Sequence, residues 1–308
     1  MPKLTQAMVL TAGLSTRMRP LTEKLPKILL PVLGKTHLDR TLDYLQTQNI
    51  QQVSMNLFHG KEILKKEIQN LNRLPTDPAI FTFDESPIRG TGGGILGMKT
   101  FVSTDHFAIL NCDFLTDLDL QKMFEFHVQN QALATLFLAP LPPKTKYGKV
   151  SFDKNQGIES FNAKNSNHFF GGIHILSKEI FDHFPNDHEF CIIRNVYEPL
   201  IQKGAKILGY TDKCRWLDVG ELRLYHQSLF ETLKKPFAWM KDVQPSSSWI
   251  HESVEIFGDV TSKNVIIEKY AIIPERTLLV DTVVFPTTRV KPGDYERMIL
   301  TPDHRVKI

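Results

Sequence analysis

As far as Lys235, apolar residues occur along the chain in two alternating patterns. Short runs of consecutive apolar residues predict buried strands, and apolar residues three and four apart predict helices. The predicted strands lie at 7–10, 53–57, 80–83, 107–110, 133–138, 170–176 and 207–210, and the predicted helices at 38–48, 62–71, 120–129, 191–203 and 221–233. This alternation predicts an α/β fold with a mixed, mostly parallel sheet and helices on both faces.

A third period begins after residue 248. Seven aliphatic residues follow one another at a spacing of six, namely Val254, Val260, Ile266, Ile272, Leu278, Val284 and Val290. A hexapeptide repeat has this period and predicts a left-handed parallel β-helix of two to three coils. The predicted domains are therefore 1–235, a linker at 236–248 and a short β-helix at 249–308. So short a β-helix is expected to pack on the first domain or, in a homo-oligomer, on a second copy of the chain.

Composition and charge exclude several classes of protein. The chain has 308 residues and a formal charge of +3, so neither a nucleic acid nor a membrane is expected as its partner. The three cysteines are scattered and form no C-x-x-C pair, which predicts neither a zinc site nor a disulfide framework. The first residues do not resemble a signal peptide, and a cytoplasmic location is expected.

A loop rich in small and basic residues follows the first strand. The strand ends at Leu10, and Ala12, Gly13, Ser15 and Thr16 come next. Such a loop leaves backbone N–H groups free to face an anion. Arg17 and Arg19 add fork-shaped donors, and Lys27, between Pro26 and an apolar run, adds a point charge. The pattern predicts a triphosphate-binding loop.

A glycine-rich stretch at 84–99 allows two interpretations. Glycines at 92, 94 and 97 match the dinucleotide pattern G-x-G-x-x-G, and Asp113 follows at a suitable distance. That motif requires a strand directly before it, whereas residues 86–91 intervene here. The phosphate-loop pattern fails because Met98 separates Gly97 from Lys99. A nicotinamide-dependent oxidoreductase is therefore the weaker interpretation.

The loop resembles the signature of the sugar-1-phosphate nucleotidyltransferases, G-x-G-T-R-x-x-P-L-T followed by P-K-P. The matching positions are Gly13, Ser15, Thr16, Arg17, Pro20, Leu21, Thr22, Pro26 and Lys27. Ser15 replaces the second glycine and Ile28 replaces a proline that is common there. The resemblance implies a Rossmann-like sheet and an enzyme that binds a nucleoside triphosphate and a sugar 1-phosphate.

The same resemblance assigns residues to the nucleotide and to a metal. Leu10 and Ala12 would join the loop in binding the nucleotide, and Glu85, Gly90 and Thr91 would line the base pocket, with the glycines at 92–94 against the nucleoside. A carboxylate at 85 could accept two hydrogen bonds from guanine, which favours GTP. Asp113, in an N-x-D motif, and Asp218, in W-x-D-V-G, would hold Mg²⁺.

The sugar side of the resemblance is less complete. Asn111, Gly148, Lys164 and Gly172 fall on positions that contact the sugar in this family. Ala163, however, stands where the family usually has a glutamate that binds sugar hydroxyls. The sequence therefore does not decide which sugar is bound.

The expected reaction converts an NTP and a sugar 1-phosphate into an NDP-sugar and pyrophosphate, with Arg17 and Lys27 as catalytic residues. GTP with mannose 1-phosphate is the first expectation. The alternatives are a uridylyltransferase acting on a muramate or hexose 1-phosphate, a heptose 1-phosphate guanylyltransferase, and a non-catalytic scaffold that binds nucleotide-sugars.

Overall fold

The computed structural model describes residues 3–71, 74, 76–142, 145 and 147–308. These residues form two compact units, each built from several segments. The first unit comprises Met1–Leu14, Leu45–Cys112 and Leu118–Trp216, and the second comprises Ser15–Tyr44, Asp113–Asp117 and Leu217–Ile308. This division differs from the sequence-based boundaries at 235 and 248, because the second unit joins the C-terminal segment to residues near the N-terminus.

The strands and helices follow the predicted order closely. The strands are β1 (Gln6–Leu10), β2 (Pro31–Val32), β3 (Lys35–Thr36), β4 (Gln52–Leu57), β5 (Ala79–Asp84), β6 (His106–Asn111), β7 (Phe114–Thr116), β8 (Ala134–Pro140), β9 (Ser151–Phe152), β10 (Ile158–Ser160), β11 (His168–Ser177), β12 (Ile207–Tyr210), β13 (Trp216–Asp218), β14 (Trp249–Ile250), β15 (Glu255–Ile256), β16 (Val260–Ile267), β17 (Ile272–Ile273), β18 (Thr277–Val284), β19 (Gly293–Glu296), β20 (Met298–Leu300) and β21 (Arg305–Lys307). The α-helices are α1 (His37–Thr47), α2 (Lys61–Asn70), α3 (Gly90–Gly97), α4 (Leu120–Gln129), α5 (Glu198–Gln202) and α6 (Leu222–Lys234).

The first unit is built on a seven-stranded sheet in the order β12-β8-β11-β6-β1-β4-β5. Strands β1, β4, β5 and β6 pair in parallel, and so do β8 and β12. Strand β11 is antiparallel to both of its neighbours. The prediction of a mixed, mostly parallel sheet is confirmed.

Two segments of this unit differ from the predicted set of helices and strands. The predicted helix at 191–203 is a π-helix, Ile193–Tyr197, followed by the short α5. Pro199 lies in the first turn of α5 and has no N–H to donate to the preceding turn, which accounts for the break. The glycine-rich stretch, for which no secondary structure was predicted, forms α3. The sequence of residues 146–161 is typical of a β-hairpin turned at 155–157. The antiparallel pair β9–β10 confirms this hairpin, although Lys146 at its start lies outside the described residues.

The C-terminal strands stack in parallel, but not at the interval counted from the sequence. Three hexapeptides per coil would place Trp249 beside Ile267 and Ile266 beside Val284. Trp249 pairs instead with Ile266, and Ile266 with Val283, so each coil is one residue shorter than the repeat requires. The next coil is shorter still, since Val283 pairs with Ile299. The expectation that three six-residue repeats make one coil is therefore wrong for these strands. Whether the stack winds as a left-handed β-helix stays a prediction.

The segment predicted as a linker, 236–248, is packed into the second unit. Phe237, Trp239 and Met240 are buried. The indole N–H of Trp239 donates to the carbonyl of Thr116 at 2.9 Å, and its ring contacts Tyr44. The linker was predicted from the prolines and serines in this segment. Its apolar residues, which pack into the unit, decide its structure instead.

Within the described part of the chain, no helix combines the length and the apolar character that a bilayer crossing requires.

Candidate active site

The basic loop after β1 adopts a tight turn in the second unit. Ser15 has a left-handed backbone, with φ of 50°, and precedes a 3₁₀ turn at Thr16–Met18. The hydroxyl of Thr22 donates to the Ser15 carbonyl at 2.8 Å and closes the loop. Glycine adopts this conformation more easily than serine, which explains the glycine of the family pattern. Arg17 is exposed to solvent, as an anion-binding side chain must be.

Lys27 lies on a second 3₁₀ turn, Lys27–Leu29, which begins after Pro26. The next two residues, Ile28 and Leu29, are buried and anchor the turn. The Nζ atom of Lys27 lies 3.4 Å from Oδ2 of Asp113, and the two side chains are 13% and 28% exposed. The pair is therefore partly shielded from water yet reachable by a ligand.

Asp113 and Asp218 come together around Gly220. A Cβ built on Gly220 would lie 3.1 Å from Oδ1 of Asp218 and 3.2 Å from Cβ of Asp113. The N–H of Val219 donates to the Asp113 carbonyl at 2.8 Å, which keeps the two segments adjacent. The N–H of Gly220 donates to Oδ1 of Asp218 at 2.5 Å. Two carboxylates from distant parts of the sequence thus form one acidic site beside Lys27.

This pair of carboxylates fits a magnesium ion. Magnesium is bound in proteins by one or two carboxylates, with waters and substrate phosphates completing its shell. Among the residues that the structure describes, no three His, Cys, Asp or Glu side chains are grouped as metal ligands would be. A metal held by Asp113 and Asp218 would therefore need oxygen atoms from a substrate or from water.

His37, which the sequence analysis missed, is buried beside this pair. Its Nε2 atom lies 2.9 Å from the carbonyl of Phe114, the residue after Asp113. Burial, assisted by the positive charge of Lys27, lowers the pKa of His37 to about 4. A neutral imidazole at this position supports the backbone next to Asp113. A lone histidine at the start of a helix carries no pattern that would have revealed this role.

Glu85, in the first unit, does not have the predicted surroundings. The side chain is only 1% exposed. Its Oε1 accepts a hydrogen bond from Nδ2 of Asn56 at 2.7 Å, and its Oε2 accepts one from the N–H of Arg89 at 3.0 Å. Asn56 in turn accepts from the N–H of Thr11 at 2.7 Å. The prediction that Glu85 faces a base is therefore corrected: its carboxylate joins the ends of β1, β4 and β5 to the start of α3.

The glycines of α3 pack against the protein itself. A Cβ on Gly92 would collide with the ring of Phe190, and one on Gly97 with the ring of Phe83. Gly90, with φ of 67°, lies against the carbonyl of Phe190. Close packing of α3 therefore accounts for most of these glycines, and whether any of them lies against a nucleoside stays a prediction. Thr91 is exposed, and its hydroxyl accepts a hydrogen bond from the N–H of Ile192 at 3.2 Å.

Of the remaining predicted residues of the first unit, the structure brings two together and shows only the exposure or a backbone contact of the others. Gly172 has φ of 77°, and a Cβ there would lie 2.9 Å from Nδ2 of Asn111, so these two residues are adjacent. Lys164 is exposed, and only its carbonyl has a described contact, with Nζ of Lys149 at 3.2 Å. Gly148 and Gly13 are exposed, whereas Leu10 is half-buried and Ala12 is buried.

An aromatic cluster next to Gly148 was not predicted in full. The ring of Tyr147 stacks on Phe169 at 4.4 Å, and Trp216 meets both rings edge-on. The indole N–H of Trp216 donates to the carbonyl of Gly171 at 2.9 Å, beside Gly172. The tryptophan of the W-x-D-V-G motif was the available signal.

Known proteins with similar sequences are named as enzymes that act on sugar 1-phosphates. The chain is similar to a UTP–glucose-1-phosphate uridylyltransferase of Synechocystis (27% identity over 257 residues, 78% of this chain and 65% of the relative) and to a mannose-1-phosphate guanylyltransferase of Mycobacterium tuberculosis (29% over 219 residues, 70% and 60%). It thus spans less than two thirds of the length of these two relatives. A D-glycero-alpha-D-manno-heptose 1-phosphate guanylyltransferase of Aneurinibacillus thermoaerophilus is 28% identical over 219 residues, 70% of this chain and 93% of the relative.

Solved structures share the fold. HddC from Yersinia pseudotuberculosis superposes with a TM-score of 0.64 at 22% identity, covering 74% of this chain and 99% of that one. UDP-glucose pyrophosphorylase from Acinetobacter baumanii gives 0.64 at 20% identity, covering 78% and 97%. The sequence model of the nucleotidyl transferase family matches residues 6–235, about three quarters of the chain. The chain therefore belongs to the nucleotidyl transferase family.

Proposed function

We propose that the chain is a sugar-1-phosphate nucleotidyltransferase, which forms an NDP-sugar and pyrophosphate from an NTP and a sugar 1-phosphate. The observation that carries this proposal is the grouping of Lys27, Asp113 and Asp218, with Lys27 and Asp113 only 3.4 Å apart. The ammonium of Lys27 is suited to a negatively charged phosphate, and the two carboxylates are suited to the metal ion that accompanies such a substrate. The family match over residues 6–235 supports the same chemistry.

The reaction needs charge neutralisation and alignment more than proton transfer. A phosphate oxygen of the sugar 1-phosphate attacks the α-phosphorus in line, and pyrophosphate leaves from the opposite side. The attacking oxygen is already ionised, so no general base is required. Arg17, exposed on its loop, would hold the β- and γ-phosphates and stabilise the leaving group. Lys27 would lie on the α-phosphate or on the sugar phosphate.

Asp113 and Asp218 are the side chains that would hold Mg²⁺. The ion, when bound, would neutralise charge on the reacting phosphates. The hydrogen bond from the N–H of Gly220 fixes one oxygen of Asp218.

GTP with mannose 1-phosphate is the first substrate pair to test. Two of the three relatives named above are guanylyltransferases, whereas the third is a uridylyltransferase. The buried position of Glu85 removes the argument that its carboxylate selects guanine. Uridylyl transfer to a muramate or hexose 1-phosphate and guanylyl transfer to a heptose 1-phosphate are the alternatives.

A cytoplasmic location, where these substrates would be available, and self-association through the C-terminal strands complete the proposal.

A matrix of NTPs against sugar 1-phosphates, with pyrophosphate release as the readout, tests this function. One pair should exceed all others, and its rate should vanish when Mg²⁺ is chelated. If no pair releases pyrophosphate while nucleotide-sugars bind, the non-catalytic scaffold is the correct interpretation.

A further inference from the structure

A short hairpin connects Lys27 to the C-terminal part of the second unit. Strands β2 and β3 pair at residues 31–36, directly after the turn that carries Lys27. Leu33 and Gly34 form its tip, with φ of 53° and 85°. The N–H of His37 donates to the carbonyl of Leu30 at 2.9 Å and closes its base. We call residues 31–36 the Lys27 hairpin.

A buried glutamate directly after β16 holds the tip of this hairpin. Both carboxylate oxygens of Glu268 lie within hydrogen-bond distance of the N–H of Gly34, at 3.2 and 3.0 Å. Glu268 is 1% exposed. The ring of Trp249 also packs against the tip, since a Cβ on Gly34 would lie 2.9 Å from it. The positive φ and the tryptophan together require glycine here.

Other side chains of the second unit hold the carbonyls of the hairpin. Arg40, which is fully buried, donates to the carbonyl of Val32 at 3.0 Å and to that of Leu33 at 2.5 Å. Its third contact is an ion pair of 2.7 Å with Asp242. The hydroxyl of Tyr225 donates to the carbonyl of Pro31. Side chains therefore hold the carbonyls of three successive residues of the hairpin.

The opposite end of the hairpin leads to the reacting groups. Ile28, Leu29 and Leu30 are buried, so a shift of the hairpin cannot be absorbed there without disturbing the core. Lys27 lies at the start of that apolar run, 3.4 Å from Asp113. His37, at the other end, contacts the carbonyl of Phe114, next to Asp113.

We propose that Glu268 is a positioning residue for turnover: by accepting the hydrogen bond of Gly34, it fixes the Lys27 hairpin and so sets the position of Lys27 relative to Asp113. The C-terminal strands then take part in the reaction through this contact, besides adding stability. The inference rests on the proposed role of Lys27 and goes beyond it, since it assigns a function to a segment outside the matched family region, 6–235.

Three variants test the role of Glu268. Glu268→Ala removes the acceptor, Glu268→Gln keeps one acceptor oxygen with nearly the same shape, and Glu255→Ala is a control in exposed β15. Steady-state pyrophosphate release should show kcat reduced about tenfold in Glu268→Ala, with KM for the NTP changed less than about twofold, because the group misplaced is one that acts in the transition state. Glu268→Gln should recover most of kcat, and Glu255→Ala should match the parent chain.

Hydrogen exchange at residues 27–36 is the second readout. Exchange should accelerate there in Glu268→Ala and stay close to the parent in Glu268→Gln. A normal kcat in Glu268→Ala, or acceleration spread evenly over the whole second unit, would overturn the proposal, because the glutamate would then be dispensable or only structural. So would a Gln variant as impaired as the Ala variant.

The two proposals fail separately. If the parent chain releases no pyrophosphate from any substrate pair, the proposed function is wrong. The exchange data alone then decide whether Glu268 holds the hairpin: acceleration confined to 27–36 supports the contact, and unchanged exchange refutes it.

Discussion

The Nζ atom of Lys27 lies 3.4 Å from Oδ2 of Asp113, although strands β2 to β6 come between the two in the chain. At this distance the ammonium and the carboxylate attract each other, and the partial shielding of both side chains strengthens that attraction. A phosphate that approached Lys27 would compete with Asp113 for its charge, and a cation on Asp113 would release Lys27 for that contact. If Asp113 holds a metal as proposed, the pair would link phosphate binding to metal binding.

Replacing Lys27 with methionine should lower kcat by about a hundredfold or more, because it removes a fixed positive charge from the transition state. Methionine keeps the length and apolar packing of the side chain, so the melting temperature should change little. Pyrophosphate release and thermal denaturation measure the two quantities. Lys24→Met, which breaks only the exposed ion pair with Asp303, is the matched control and should keep full activity. A near-normal kcat in Lys27→Met would contradict the assigned role.

Gly220→Ala should weaken the response to Mg²⁺. The new methyl group would lie 3.1 Å from Oδ1 of Asp218 and 3.2 Å from Cβ of Asp113, so the two carboxylates must move apart by a few tenths of an ångström. The Mg²⁺ concentration for half-maximal rate should rise about tenfold, and saturating Mg²⁺ should restore part of kcat. An unchanged Mg²⁺ dependence would show that the carboxylates do not act together.

Glu85→Ala should destabilise the fold and leave base preference unchanged. The buried Nδ2 of Asn56 and the partly buried N–H of Arg89 would lose their acceptor, at a cost of about 3 kcal/mol in total. Glu85→Gln, which keeps one acceptor oxygen, should lose less. Denaturant unfolding measures the loss, and rates with GTP and UTP measure the preference. A switch from one base to the other in the Gln variant would restore the rejected base-reading role.

Glu268 should make the second unit less stable as the pH rises. Burial raises its pKa from 4.5 to about 7, against the opposing effects of the Gly34 N–H, Arg40, Lys269 and the Leu33 backbone. The folded state therefore binds more protons than the unfolded state between these pH values. This contribution is full below about pH 4.5 and is lost by about pH 7, a change on the order of 3 kcal/mol.

The Gln variant isolates that contribution. Buried histidines such as His37 have lowered pKa values, so their contribution rises with pH and partly masks the effect. The difference in unfolding free energy between the parent and Glu268→Gln, measured at pH 5 and pH 8, removes the shared histidine term. A difference that does not change with pH would mean that Glu268 is ionised throughout this range.

Local patterns predicted most elements because each pattern reports burial along a single segment. Strand β1, helix α4 and the β9–β10 hairpin all lie within a residue or two of their predicted positions. The predictions failed where a distant residue decided the outcome. Phe190 and Phe83 explain why α3 is rich in glycine, and Tyr44 and Thr116 explain why 236–248 packs as part of a unit.

The sequence alone determined the order of the elements, the charged loop and the likeness to nucleotidyltransferases, since these depend on residue types at short and regular spacings. Only the tertiary structure decided that Lys27 lies beside Asp113, and that Asp218 meets Asp113 at Gly220. It likewise placed Glu85 inside the protein and Glu268 on Gly34. Each of these four relationships joins segments far apart in the chain. Such contacts follow from how whole elements pack, and a one-dimensional pattern carries no record of them.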